Sequence, residues 1–250
     1  MAIASQPEVP LLMRMAAHPL RWAMLTELSA SDLRVRELVA AVGEPQNLVS
    51  YHLRQLRSAG FVDVRRSSFD GRDSYYHLDL TRCAAAFEES AHALHPALFP
   101  EHGQAMPKDS SVLFLCTGNS ARSPMAEALL RHRSDGRVRV ASAGSHPKTR
   151  VHPNAVRVMR ERYGIDLRKQ IPKSVAAVSD QTFDHVITLC DKVREVHSPA
   201  SAHWSLPDPS AAADSDRASY PEFISVATEL DTRIRFLLPT LAHPANTQED

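Results

Sequence analysis

Cysteine is scarce in this 250-residue chain: three, at positions 83, 116 and 190, too few and too scattered for a disulfide framework. A reducing compartment is the expectation, and it would suit a reactive thiol. No run approaches the ~18 apolar residues that a membrane span needs. The N-terminal residues also lack the basic-then-apolar order of a secretory signal. These two absences predict a cytoplasmic protein with no membrane partner. Net charge is missing as well, since 29 basic and 29 acidic side chains balance, so the total charge identifies no partner. Lysine does not occur in the first 106 residues, which hold ten arginines. Five of these, Arg54, Arg57, Arg65, Arg66 and Arg72, fall in one short stretch. Internal repeats and low-complexity tracts are also lacking. What remains is 43% hydrophobic and 23% charged, the composition of ordinary globular protein with room for one large or two modest domains.

Punctuation divides the chain near residue 100. Pro96, Pro100, Gly103 and Pro107 interrupt a stretch of weak periodicity, which predicts a linker at 97–109 between domains at 10–96 and 110–242. From about His243 the chain reads as a polar tail. In the first domain Leu20, Met24, Leu25 and Leu28 share one helical face after Pro19. A short helix follows, with Val35, Leu38 and Val39 inward. Gly43-Glu-Pro45 makes a turn, and Leu48, Val49, Leu53 and Leu56 set a helix at 46–58 capped by Gly60. Residues 61–66 alternate like a strand, Asp70-Gly71 signals a hairpin turn, and Ser74-Tyr-Tyr-His-Leu answers as the second strand. A last helix runs from about Thr81 to His95. This order is that of a mainly α winged helix-turn-helix.

Beyond the linker, strands and helices alternate. Strands are expected near 111–116, 137–142, 184–190 and 202–206, and helices near 124–133, 153–163 and 219–238. That alternation predicts an α/β domain, a four-stranded parallel sheet with helices on both faces. In the last helix Phe223, Val226, Leu230, Ile234 and Leu237 form a core stripe. Ligands on such sheets bind at the C-terminal ends of strands. One strand end there reads Val112-Leu-Phe-Leu-Cys116-Thr-Gly-Asn-Ser-Ala-Arg122-Ser123-Pro.

This spacing builds an oxyanion cradle around a thiolate. The loop of Thr117, Gly118, Asn119, Ser120 and Ala121 aims backbone N–H groups at one point, and the following helix adds its positive end. Ser123 is expected as N-cap and Pro124 as first helical residue. Arg122 can clamp two oxygens of a tetrahedral anion with its planar fork. A thiolate is favoured beside cations and helix N-termini, so the site can both bind a phosphate-like anion and attack it. Asn119 is expected to organise the loop through side-chain hydrogen bonds, and Ser123 to stabilise the thiolate.

The segment resembles the low-molecular-weight protein tyrosine phosphatase superfamily, which includes thiol-dependent arsenate reductases, over about residues 110–240. The resemblance implies that Cys116 is the nucleophile and that Asp208, in Trp204-Ser-Leu-Pro-Asp208-Pro209, is the general acid. It implies that Ser142, in Ala-Ser-Ala-Gly, supports the loop. Glu127 matches a structural position, with a solvated helix glutamate as the alternative. Phosphatases of the family usually carry tyrosines just after Asp-Pro, whereas this chain has Ser210-Ala-Ala-Ala. The segment Val186-Ile-Thr-Leu-Cys190-Asp resembles the reductase branch, where a second cysteine attacks the first. Thioredoxin-coupled members place a third cysteine seven residues on, and His197 stands there. Either Cys190 resolves the arseno-Cys116 adduct, or an external thiol attacks it directly. No bound cofactor is expected, only an external reductant: mycothiol, glutathione or a thioredoxin system.

Ser50-Tyr-His-Leu-Arg-Gln-Leu-Arg-Ser-Ala-Gly60-Phe-Val resembles the arsenical-resistance (ArsR-type) repressors, dimeric bacterial transcription regulators, over roughly residues 10–95. The resemblance implies a homodimer that binds double-stranded DNA. Gln46, Asn47, Ser50, Tyr51, His52 and Arg54 are candidates for the exposed helix face, where Gln and Asn can read adenine edges. Arg54, Arg57 and the wing arginines Arg65, Arg66 and Arg72 can hold phosphates. Zinc-type relatives carry ligands on the last helix. Asp79, His92 and His95 reproduce three of those positions, while the fourth is Thr81, for which Cys83 or His77 could substitute. The combined expectation is an arsenate reductase fused to an ArsR-type regulator. The alternatives are a low-molecular-weight tyrosine phosphatase, or a regulator whose second domain senses oxyanion or redox state.

Overall fold

The computed structural model describes residues 9–94, 110–196, 200–211 and 215–241. They belong to two compact units, and the hairpin connection with its flanking residue, Arg66–Arg72, is grouped with the second unit although the strands on either side belong to the first. The linker expected at 97–109, His95, His197, the polar tail and the C-terminal limits, 96 and 242, of the two expected domain spans lie outside the described residues.

The first unit contains α1 (Leu11–Ala16), α2 (Pro19–Ala30), β1 (Leu33–Arg34), α3 (Val35–Val42), α4 (Gln46–Ser58), β2 (Val62–Arg66), β3 (Ser74–Leu78) and α5 (Leu80–Leu94). Pro19 occupies the first turn of α2, where its missing N–H costs nothing, and His18 Nδ1 caps the helix by accepting from the Leu20 N–H at 3.2 Å. Gly43 ends α3 in the left-handed region (φ +69°). Helix α4 stops in a Schellman turn. Gly60 (φ +78°) donates to the Arg57 carbonyl, and the Phe61 N–H reaches the Leu56 carbonyl. Leu20, Met24, Leu25, Leu28, Leu38, Val49, Leu53, Leu56 and Phe61 form the core.

Several details of the first unit differ from the sequence expectation, among them the two-residue strand β1, too short to leave a pattern. Helix α1 was not foreseen, because six residues carry too little periodicity. Leu48 is exposed, since the buried stripe of α4 runs through Val49, His52, Leu53 and Leu56, one residue out of phase with it. The hairpin is joined by a seven-residue connection, 67–73, rather than a two-residue turn at Asp70-Gly71, and Gly71 does not take a positive φ. The three-stranded sheet runs β1-β3-β2.

The second unit contains β4 (Ser111–Cys116), α6 (Arg122–Arg133), β5 (Arg139–Gly144), α7 (Pro153–Tyr163), a 3₁₀ turn (Val175–Val178), β6 (His185–Thr188), α8 (Asp191–Val196), β7 (Ala202–His203) and α9 (Asp216–Leu241). The sheet order is β5-β4-β6-β7, and every pairing is parallel. All six residues of β4 are buried, as a central parallel strand covered on both faces requires. The register pairs Cys116 with Gly144 and Leu115 with Thr188. It therefore places the ends of β4, β5 and β6 side by side. Phe223, Val226, Leu230 and Ile234 of α9 enter the core, Leu238 is buried with them, and Leu237 is half-buried.

Candidate active site

Chain direction brings three strand ends to one place, and a second loop then turns the peptides of residues 116–120. Four backbone N–H groups from the segment after β5 take four carbonyls of the Cys116 loop. Ser145 donates to Cys116, His146 to Thr117, Lys148 to Gly118 and His152 to Ser120, at 2.7–3.2 Å. In a trans peptide the N–H points opposite the C=O. Drawing the carbonyls outward therefore aims the N–H groups of the following residues inward. One of them shows the result: the Asn119 N–H points at Cys116 Sγ, 3.3 Å away. Such close packing needs glycine at the end of β5. A Cβ on Gly144 would lie 2.7 Å from the Thr117 carbonyl oxygen and 2.9 Å from the Asn119 nitrogen.

Asn119 itself adopts a left-handed backbone (φ +44°), which asparagine tolerates better than most residues. Its side chain is fully engaged. Nδ2 donates to Ser123 Oγ (2.9 Å) and Ser142 Oγ (2.8 Å), and Oδ1 accepts the Lys173 N–H (2.7 Å). Ser123 Oγ lies 3.0 Å from Cys116 Sγ. Ser142 donates to Glu127 at 2.6 Å. Glu127 is 4% exposed and also receives Gln170 and Arg131. The alternative of a solvated helix glutamate is therefore excluded.

The helix start differs from expectation. Helix α6 begins at Arg122 with Ala121 as N-cap and no side-chain cap. Ser123 is thus the second helical residue and Pro124 the third. The Ser123 hydroxyl faces Cys116 and Asn119, which removes it from capping. Pro124 remains harmless, because the third helical N–H has no intrahelical partner anyway.

Arg122 is buried. It donates from one terminal nitrogen to the Leu206 carbonyl and from the other to Asp208 Oδ2, both at 3.0 Å. Asp208 Oδ1 accepts the Ser210 N–H and hydroxyl. Burial alone would push the Asp208 carboxyl up, but the Arg122 guanidinium and the Ser210 donors hold it below the ordinary range. Cys190, just past β6, is 2% exposed, and its Sγ lies 3.3 Å from Thr117 Oγ1. Burial pushes this thiol up; neighbouring Cys116 adds to the rise, and Arg122 opposes it. The expected residues Cys116, Asn119, Arg122, Ser123, Ser142, Glu127, Cys190 and Asp208 are therefore brought into one connected cluster.

Sequence reasoning missed the loop 145–152 and the buried pair of Asp191 with His203. The loop acts through backbone atoms, which leave no side-chain signature. The pair is 12 residues apart in sequence and joins across the sheet edge.

On the first unit, Gln46, Asn47, Tyr51, Arg54 and Arg57 are exposed on α4, and Ser50 is half-buried. His52 is not on that face. It is 4% exposed and packs on His18 with ring centroids 4.3 Å apart, because position 52 falls in the buried stripe. Burial, with His18 and Arg21 adding, lowers its proton affinity. Arg66 and Arg72 are exposed, and Arg65 is half-buried.

No three metal-type side chains gather among the described residues. Asp79 Oδ1 accepts the Arg82 N–H at the start of α5, and His92 and Thr81 are exposed. Cys83 is buried, and that burial, with Asp79, pushes its thiol up to about 11, which disfavours it as a substitute ligand. His77 is half-buried. No helix among the described residues is long and apolar enough to cross a membrane.

Residues 18–64 match the family described as bacterial regulatory protein, arsR family. The second unit is similar to an arsenate reductase of Halalkalibacterium halodurans, 36% identical over 135 residues, covering 52% of this chain and 95% of the relative. An arsenate reductase of Brevibacillus brevis is 34% identical over the same length and coverage. A crystal structure of arsenate reductase from Archaeoglobus fulgidus aligns with 31% identity and a TM-score of 0.42 over 51% of this chain and 98% of that one. Residues 111–247, more than half of the chain, match the family described as low molecular weight phosphotyrosine protein phosphatase, and the protein belongs to that family, with an arsR-type helix-turn-helix on the N-terminal side of the phosphatase-fold domain.

Proposed function

We propose that this protein is a thiol-dependent arsenate reductase fused to an arsR-type DNA-binding domain. Cys116 Sγ attacks arsenic, forming the S–As bond as an As–O bond breaks. Asp208 gives the departing oxygen its proton, and Arg122 with the loop N–H groups holds the remaining oxygens. Cys190 then attacks Cys116 Sγ. The S–As bond breaks with its electron pair left on arsenic, which falls from As(V) to As(III), and a Cys116–Cys190 disulfide forms. An external dithiol or two thiols, from mycothiol, glutathione or a thioredoxin system, return the cysteines to the reduced state. A reducing cytoplasm fits this cycle.

The observation that carries this reading is the placement of Cys190 against Thr117, next to Cys116. A phosphatase has no use for a second thiol there, and Asp208-Pro209 is followed by Ser210 and Ala211 rather than by an aromatic wall. Arsenite formation from arsenate that depends on added thiol tests it. Turnover of p-nitrophenyl phosphate without arsenate reduction, under every thiol system offered, would establish the phosphatase instead. The same Cys116, Arg122 and Asp208 cluster supports that second reading. Loss of DNA binding on arsenate or oxidant, with neither activity, would mark a sensor.

For the first unit, exposed Gln46, Asn47 and Arg54 on α4 support major-groove binding by a homodimer to a palindromic site. Gel shifts across the region upstream of its own gene test this; absence of retention at low salt refutes it.

A further inference from the structure

Asp191 and His203 are titratable, buried and unused by the chemistry above. Asp191 is 1% exposed and His203 0%. Removing such a pair from water is costly, and hydrophobic residues often serve stability as well, so the pair calls for a purpose. Its connections supply one. Asp191 Oδ1 accepts the Ser205 hydroxyl at 2.7 Å and lies 3.2 Å from His203 Nε2, and Oδ2 accepts the Ser68 N–H at 2.6 Å and the Ser68 hydroxyl at 2.9 Å. On the other edge of the ring, His203 Nδ1 is 2.8 Å from Thr188 Oγ1 and 3.1 Å from the Thr188 carbonyl oxygen. Thr188 and Asp191 bracket Cys190 in the chain. The turn between them is fixed to the active-site strand by the Leu189 N–H, which donates to the Leu115 carbonyl at 2.7 Å.

We infer that Asp191 is a positioning residue for the Cys190 thiol, acting through a buried brace to His203, Ser205 and Thr188. The inference rests on the reading of Cys190 as the resolving thiol. An attacking sulfur must approach its target along the bond being broken, and a misplacement of about 1 Å costs on the order of a hundredfold. Cys190 Sγ has one side-chain hydrogen-bond partner among the described residues, Thr117, which cannot fix its direction alone. The brace fixes the backbone on both sides of it. Burial acts against the Asp191 charge, yet the hydrogen bonds from His203, the Ser68 N–H and Ser205 hold the carboxyl down at about 2, so Asp191 stays charged at working pH. The Asp208 end of the neighbouring segment has its own anchors, Arg122 and Ser210, so Asp191 does not act through Asp208, and its Ser68 contacts lie away from the Thr188–Asp191 turn that carries Cys190 in the chain.

The test uses the full chain and two routes to the same disulfide. Arsenate drives it through the arseno-Cys116 adduct. Hydrogen peroxide drives it by oxidising Cys116 to the sulfenic acid, which Cys190 then displaces as water. Formation is followed as a two-dalton loss in intact mass, beside p-nitrophenyl phosphate hydrolysis, which needs Cys116 but not Cys190. Asp191→Ala should slow disulfide formation by both routes about tenfold or more, with hydrolysis within about twofold of wild type. Asp191→Asn, whose amide oxygen can still accept from Ser205, should recover most of the rate. If Asp191→Ala does not fold, Ser205→Ala carries the same expectation at about threefold. Unchanged disulfide rates overturn the inference, as does a parallel fall of both activities, which would mark Asp191 as merely structural. Wild-type disulfide formation with peroxide but not with arsenate would sink the reductase reading while leaving the brace tested. Failure by both routes overturns the role of Cys190 and the inference with it.

Discussion

Asn119→Ala removes the side chain that ties the thiol loop to the rest of the domain. Three buried hydrogen bonds disappear, those with Ser123, Ser142 and the Lys173 N–H. Each contributes about 0.5–1.5 kcal/mol net, and the stranded Lys173 N–H adds a desolvation cost of about 1–3 kcal/mol. Alanine at φ +44° adds roughly 1 kcal/mol of backbone strain. The serine hydroxyls can rotate to recover part of the loss, so the expected destabilisation is about 3–5 kcal/mol, a large share of the ~5–15 kcal/mol a domain has. Activity should fall too, because Ser123 then loses the donor that orients its oxygen toward Cys116 Sγ. One weakened hydrogen bond to a charged group, about 1.5–3 kcal/mol, corresponds to roughly a 10–100-fold lower kcat. Urea unfolding of the full chain, followed by loss of p-nitrophenyl phosphate turnover, gives the first number, and initial rates at low urea give the second. Asn119→Asp separates the contributions. It keeps an acceptor for Lys173, loses both donors and sets a second negative charge against the thiolate, so it should be slower than Asn119→Ala. A variant Asn119→Ala within about 1 kcal/mol of wild type and with unchanged kcat would refute the reasoning.

Cys116→Ser should abolish turnover with the fold intact, since a serine hydroxyl does not ionise here near neutral pH; initial rates and circular dichroism check both halves. Arg122→Lys should lose about 10²-fold or more in kcat/KM, because a point charge cannot hold the Leu206 carbonyl and an oxyanion in one plane; a near-wild-type rate places the anion clamp elsewhere. Asp208→Asn should lower turnover by about 10²–10⁴, more for substrates with poorer leaving groups, and a uniform small loss across a series of aryl phosphates would make Asp208 a turn residue. Arg54→Ala should weaken DNA binding and reduce the slope of log K against log salt by about one, read from fluorescence anisotropy at several salt concentrations.

The architecture was legible because its signals are local. Five apolar residues ending in Cys116, the alternation beyond it and the phase of Leu53 and Leu56 each specify an element within a few residues. The cluster around Cys116 was legible in residue type: Asn119 and Ser142 make the loop hydrogen bonds expected of them, and Arg122 lies buried beside them with the Leu206 carbonyl and Asp208 as its partners. Features that depend on phase or on distant partners were less so. His52 looks like a base reader among polar neighbours, yet lies three residues from Val49 and four from Leu56, inside the buried stripe. Ser123 looks like an N-cap because serine before proline usually is one, but the neighbouring thiol and Asn119 take its hydroxyl. Gly144 gave no motif of its own, and its purpose emerges only when the Thr117 carbonyl is found 2.7 Å from where a Cβ would be.

One arrangement links anion binding to proton supply in the proposed chemistry. A general acid must carry a proton when the leaving oxygen departs, whereas Arg122 holds Asp208 below the ordinary carboxyl range. The two roles conflict only while Asp208 has the guanidinium to itself. Arg122 has five N–H donors in a fixed fork, and two contacts already bind it to the Leu206 carbonyl and to Asp208. A tetrahedral anion seated in the Cys116 loop would share that positive charge and bring negative charge toward the carboxylate. Both changes raise the proton affinity of Asp208. The acid therefore gains its proton in response to the substrate it is to serve, and the Arg122–Asp208 contact is a competitor for the anion rather than a wasted ion pair. The same logic fixes the sign for the variant: with Asp208→Asn the competition ends, so anion affinity should rise, or at least not fall, while turnover collapses. Weaker phosphate inhibition in Asp208→Asn than in wild type would contradict this coupling.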